Sequence, residues 1–207
     1  VLRLPAEGAT ERLLGELGIT RSGAELQTVL TWPRFRLDTF AKLNTVQPDV
    51  VIGRTDAVAF FEFKRPKGGT LPPTEVLGQL FFAGQVGHEM GRHWFIVVVP
   101  GNAKEAAKMT AAALVGEARE ARADTLKKWR FPDEAVTRID KMTDSKLAGH
   151  IRVLSWEDIL TFSLKVARDT ALGGSGFEWN RRRVEAGLLQ FWEERAKQGL
   201  LEARKET

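Results

Sequence analysis

Apolar residues recur along this chain at two spacings, and the spacings assign its elements. Leu13, Leu14 and Leu17 share a helical face, so residues 10–17 read as a short helix. Leu26, Val29 and Leu30 do the same over residues 22–30, with Ser22 placed as an N-cap and Glu25 at the capping-box offset. Alternation of period two then takes over. Residues 49–52 and 58–64 predict two strands, and the turn chemistry of Gly53-Arg54-Thr55-Asp56 joins them as a β-hairpin. Residues 36–43 are a candidate for a further strand before them.

Beyond a Gly/Pro-rich loop at 66–73, Thr74 is expected to cap a helix running to about His88. The β-branched and aromatic run 93–99 predicts a strand ended by Pro100-Gly101. Residues 104–123 are Ala-rich and read as one helix, and residues 151–154 as a short strand. Ser155 caps a helix over 156–168, with Asp158 at its N-terminal end. Gly173-Gly174-Ser175-Gly176 reads as a flexible joint before a last helix, 181–205, whose Val184, Leu188, Phe191 and Trp192 form one stripe. The fold class expected is α/β: a mixed central sheet flanked by helices, with a C-terminal helical extension. Residues 1–172 would form one domain, and 173–207 the joint and helix appended to it.

Composition narrows the chemistry. The 207 residues contain no cysteine, which excludes disulfides, thiolate catalysis and cysteine-based metal sites. His88 and His93 are five apart, unlike the four of a His-Glu-x-x-His zinc motif, and read as structural or surface residues. No apolar run approaches the ~20 residues needed to span a bilayer, and residues 1–9 lack the pattern of a signal peptide. The expectation is a cytoplasmic protein without a membrane partner. The net charge of +4 leans toward polyanions without concentrating in either half: the surplus is +1 over residues 1–100 and +3 over 101–207.

One constellation carries chemistry. Alternation places Glu62 and Lys64 on one strand face, following Val58 and Phe60, with Phe61 and Phe63 on the other. With a hairpin loop at 54–57, Gly53 pairs with Val58, and counting back sets Asp49 opposite Glu62. Opposed side chains have Cβ atoms roughly 4.5–5.5 Å apart. Two carboxylates that close repel unless a cation lies between them, and Mg²⁺ favours one or two carboxylates completed by waters and phosphate oxygens. Lys64 beside them can orient or help deprotonate a water, or hold a phosphate oxygen.

Pro48-Asp49, a spacer, and Glu62-x-Lys64 together resemble the PD-(D/E)XK nuclease superfamily over roughly residues 22–100. The resemblance implies a restriction-endonuclease-like α-β-β-β-α-β core and metal-dependent hydrolysis of DNA phosphodiester bonds to 5′-phosphate products. Asp49, Glu62 and the main-chain carbonyl of Phe63 would bind Mg²⁺, with Mn²⁺ able to substitute, and Lys64 would be the catalytic lysine. The family often adds a glutamate from the first core helix. Glu25 is the best-placed candidate, ahead of Glu16 and Glu11, although a capping-box role explains Glu25 equally. In one branch of the superfamily a glutamine on the following helix supports the site. Gln79 resembles it, but the branch's tyrosine four residues later is Ala83 here, and an exposed helix glutamine is the alternative reading. A stand-alone endonuclease of restriction or defence type fits a chain without helicase or ATPase motifs. A repair or replication nuclease, a non-catalytic nucleic-acid-binding module and an adaptor using the last helix are the alternatives.

Basic residues interleave with aromatics at 32–36, 127–131 and 177–183. Such residues can neutralise phosphates and stack on bases, or can be core anchors with solvated flanks. Arg181, Arg182 and Arg183, placed at the start of the last helix, are the first choice for a DNA-backbone contact. Lys127, Lys128 and Arg130 are the second. The stripe on the last helix could also serve a homodimer.

Overall fold

A computed structural model describes residues 14–19, 26–31, 35–36, 45–64, 71–100, 103–168, 177–199 and 201. The chain is α/β, with helices on a mixed five-stranded sheet in the order β1 (Leu26–Thr31), β4 (Val50–Arg54), β5 (Ala57–Phe63), β6 (His93–Val99) and β7 (Ile151–Val153). The first three strands are antiparallel, and β5, β6 and β7 run parallel. Two short strands, β2 (Phe35–Arg36) and β3 (Thr45–Val46), form a separate antiparallel pair.

The hairpin forms where turn chemistry and alternation agree. Gly53 pairs with Val58, Ile52 with Ala59, Val51 with Phe60 and Val50 with Phe61. Arg54 and Ala57 belong to the strands, so the loop is the two residues Thr55-Asp56 rather than 54–57. The register is unchanged by this. Val51, Val58 and Phe60 face the helix that follows; Val50, Ile52, Ala59 and Phe61 face the other side with Leu14 and Ile19.

That following helix, α1 (Pro73–Glu89), brings Val76, Leu77, Leu80, Phe81 and Ala83 onto the sheet. Pro73 opens it at N1, where a missing N–H costs nothing, and Pro72 rather than Thr74 stands at the N-cap. The helix lies close on β6: a Cβ at Gly87 would come within 2.6 Å of the Trp94 side chain, so only glycine permits this approach.

Residues 26–31 correct the expected helix over 22–30. Leu26, Val29 and Leu30 have helical spacing, but Thr28, Val29 and Thr31 are β-branched, and the edge of β4 offers five pairing positions. Pairing across the sheet overrides the local pattern. In the stretch expected as a strand over 36–43, Phe35–Arg36 is strand, and residues 37–44 lie outside the described ones. Of the helix expected over 10–17, residues 14–16 are helical, Leu17 lies in the turn that follows them, and residues 10–13 lie outside the described ones.

The helix expected over 104–123 is three: α2 (Ala103–Lys108), α3 (Ala111–Glu120) and α4 (Arg122–Lys128). Thr110 makes the first break, accepting the Ala113 N–H at 3.1 Å as the N-cap of α3. Two helices without counterpart in the sequence reading follow, α5 (Asp133–Asp140) after Pro132 and α6 (Asp144–Ala148) capped by Thr143. Leu114, Val115, Ile139 and Leu147 from these helices complete the core on the α1 face. Helix α7 (Trp156–Arg168) starts as expected, Ser155 and Asp158 bonding reciprocally at 2.8 and 3.0 Å. Helix α8 (Phe177–Lys197) packs on α7 through Leu160, Leu164, Leu188 and Trp192, while Phe191 is exposed. Among the described residues no helix is long and apolar enough to cross a membrane.

His150 stacks on Trp94 with ring centroids 3.8 Å apart and donates from Nδ1 to the Trp94 carbonyl at 2.7 Å. Burial lowers its pKa from the ordinary 6.5, outweighing that hydrogen bond. The folded chain therefore takes up this proton at lower pH than the unfolded chain. Its contribution to stability is present above about pH 6.5 and is lost as pH falls through the depressed folded value. His150→Gln should show a smaller fall in Tm than the native protein between about pH 7 and pH 5; an equal fall would place the acid sensitivity elsewhere.

Candidate functional site

The site lies where β5 runs out, beside the first turns of α1. Backbone bonds pin this end of the strand. Lys64 N–H donates to the Val99 carbonyl at 2.8 Å, and the Trp156 indole donates to the Lys64 carbonyl at 3.0 Å while its ring lies against Phe63. Beyond the Val50–Phe61 pair one further backbone bond is made before a side chain takes over. Asp49 N–H donates to the Phe61 carbonyl at 3.0 Å, and the Asp49 carboxylate accepts the Phe63 N–H at 2.7 Å. The carboxylate thus closes the hairpin's open end.

Glu62 and Lys64 project toward α1, as alternation requires. Lys64 Nζ donates to Glu62 Oε1 at 2.9 Å, and Gln79 Nε2 donates to Glu62 Oε2 at 3.0 Å. Gln79 is buried, which excludes the exposed-glutamine reading, and its Oε1 is buried without a hydrogen-bond partner. Lys64 Nζ also donates to Glu75 Oε2 at 3.1 Å, and Lys128 Nζ stands 3.8 Å from Glu75 Oε1.

Burial raises the pKa of Glu62 above the ordinary 4.5; the Lys64 bond and charge oppose this, and the charges of Asp49 and Glu75 add to it. For Lys64, burial pulls the ammonium down, but the bonds and charges of Glu62 and Glu75 outweigh it, and its pKa stands above 10.5. The arrangement is a half-buried pair of opposite charges held between two further carboxylates, Asp49 and Glu75. Chemically it offers carboxylate oxygens to a hard cation and an ammonium to an anion.

Glu75 is absent from the sequence reading. Its signal is its place in the first turn of α1, four residues before Gln79 and so on the same face. Of the other expected site residues, Glu25 and Glu11 lie outside the described residues, and Glu16 pairs with Lys165 at 2.9 Å instead. Lys128 adjoins the site through Glu75 and lies over the Trp129 ring at 4.2 Å, while Lys127 pairs with Asp124. Arg181, Arg182 and Arg183 do not open a helix. Helix α8 begins at Phe177, which puts them in its second turn. His88 and His93 are exposed, as expected. Among the described residues no group of three or more His, Asp or Glu side chains is spaced to hold a metal ion.

Comparison with protein-family models, with curated proteins and with solved structures gives no match.

Proposed function

We propose that this chain is a Mg²⁺-dependent nuclease that hydrolyses DNA phosphodiester bonds on a restriction-endonuclease-like core. The observation that carries the reading is the joint placement of three groups. Asp49 closes the hairpin end, Glu62 follows on the paired strand, and Lys64 bonds Glu62 from the same face. Across the sheet the order of a hairpin, helix α1 and a parallel strand β6 fits the core that the Pro48-Asp49 and Glu62-x-Lys64 resemblance implies.

The donor set suits Mg²⁺. Two carboxylates and a main-chain carbonyl are all oxygen ligands, and this ion commonly takes one or two carboxylates and keeps several waters. Ionised Glu62 is disfavoured by its burial and by Asp49, a cost that a divalent cation would relieve. The buried, unpartnered Gln79 Oε1 is an acceptor at the same place, suited to a cation's coordinated water. Asp49, Glu62 and the Phe63 carbonyl are the ligands proposed; Glu25, expected on a first core helix, is dropped, because Leu26 next to it in the chain lies in strand β1 and pairs with Arg54, at the far end of β4 from Asp49. When bound, the ion lowers the pKa of a water and neutralises the scissile phosphate. Gln79 orients the Glu62 carboxylate through Oε2. Lys64 holds a phosphate oxygen or positions the attacking water with its ammonium.

Lys127, Lys128 and Arg130 are exposed, next to this end of α1, and suit a phosphate backbone entering the site. Replacing all three by alanine should weaken DNA binding about equally for all sequences. It should also reduce the salt slope by roughly one for each phosphate no longer neutralised. An unchanged slope would move the DNA path elsewhere, to Arg181, Arg182 and Arg183 on α8.

An endonuclease of restriction or defence type is the form proposed, acting in the cytoplasm. Plasmid nicking with Mg²⁺ and with EDTA tests the function. Cleavage that needs the metal is expected. Binding of DNA without cleavage in either condition would leave a nucleic-acid-binding module in place of an enzyme.

A further inference from the structure

Lys64 and a divalent cation want the same carboxylate. The Lys64 ammonium bonds Glu62 Oε1 at 2.9 Å and Gln79 bonds Oε2 at 3.0 Å, so both oxygens of Glu62 are engaged. Each oxygen keeps a second lone pair, but a cation that coordinates Glu62 comes close to the Lys64 ammonium, and the two repel. Lys64 is only 18% exposed, and an ammonium left there without a counter-charge is costly.

We propose that Glu75 is the positioning residue that makes Glu62 available to the cation, by giving Lys64 a second carboxylate to rest on. The inference rests on the nuclease reading above and adds a residue to its machinery. Glu75 Oε2 already accepts from Lys64 Nζ at 3.1 Å, so the ammonium keeps a charge partner when Glu62 turns away. Helix α1 places the two groups that manage Glu62 one turn apart. Glu75 takes its lysine, and Gln79 orients its other oxygen. Glu75 sits in the first turn, where the helix dipole favours an ionised carboxylate. Lys128, 3.8 Å from Glu75 Oε1, adds a second cation on its outer side.

The role acts through Lys64, and this separates it from direct ligation or from bulk negative charge. Mn²⁺ titration calorimetry on the full chain, comparing Glu75→Gln in the native background and in a Lys64→Met background, reads the difference. In the native background Glu75→Gln should weaken Mn²⁺ binding roughly ten- to a hundred-fold, the scale of one hydrogen bond to a charged group. In the Lys64→Met background the same substitution should change it by no more than about twofold, as independent sites do. Lys64→Met alone should bind Mn²⁺ more tightly than the native chain, because the competing ammonium is gone. An equal loss in both backgrounds would make Glu75 a ligand or a simple source of charge and overturn the proposal, as would no loss in the native background. Native protein that binds no Mn²⁺, whatever its variants do, would instead overturn the nuclease reading itself.

Discussion

Asp49→Ala and Glu62→Ala should each abolish Mg²⁺-dependent DNA cleavage while leaving the chain folded. The two carboxylates differ in what they hold, and the two variants should differ accordingly. Asp49 accepts the Phe63 N–H at 2.7 Å, so its loss also frees the hairpin's last rung. The cost of that rung is about 1 kcal/mol, small beside a typical stability of about 5–15 kcal/mol. Glu62 is half-buried with a pKa raised chiefly by burial, so removing its charge deletes an unfavourable desolvation as well as two hydrogen bonds. Its variant should therefore unfold within a few degrees of the native protein, provided Lys64 keeps Glu75. Loss of a metal ligand, by contrast, removes the source of the activated water, and activity should fall by a factor of roughly a thousand or more. Circular dichroism alongside a plasmid-cleavage assay separates the two effects. Cleavage at the native rate by Asp49→Ala would show that the site is misassigned.

The second large effect is on the fold beneath the site. Phe81 is fully buried in the α1 face of the core, its ring 5.0 Å from that of Phe131. Phe81→Ala should cost about 3–5 kcal/mol through lost burial and the cavity left behind. That is a large part of the total stability of a domain this size. The urea midpoint should fall with little change in slope. Because α1 also carries Glu75 and Gln79, the folded fraction should show reduced Mn²⁺ affinity before it shows any change at Asp49. A loss below about 1 kcal/mol would mean that this face of α1 is not packed as described.

What could be read from the sequence was local. The hairpin register and the shared face of Glu62 and Lys64 follow from a turn and an alternation within sixteen residues, and the pairs from Gly53–Val58 to Val50–Phe61 agree with them. Strand β6 was legible for the same reason: six apolar and β-branched residues between the polar His93 and Pro100. Strand β1 was not, because Leu26, Val29 and Leu30 satisfy a helix as well as a strand, and the edge that decides between them is β4, some twenty residues away. Thr110 broke a run whose alanines favour one continuous helix. Glu75 was hidden differently. Its helix was read almost to its bounds, but which face meets Lys64 depends on how α1 crosses β5. That crossing is set by close contacts such as Gly87 on Trp94. Gln79, read as an even choice between support and solvent, turned out to be buried against Glu62 for the same reason.

Crystals of the protein soaked with Mn²⁺ and a short DNA duplex, measured for anomalous scattering, test the assignment most directly. The account predicts a peak bonded to both the Asp49 and Glu62 carboxylates, with Lys64 turned onto Glu75. A peak elsewhere, or none at the hairpin end while DNA is bound, would contradict it.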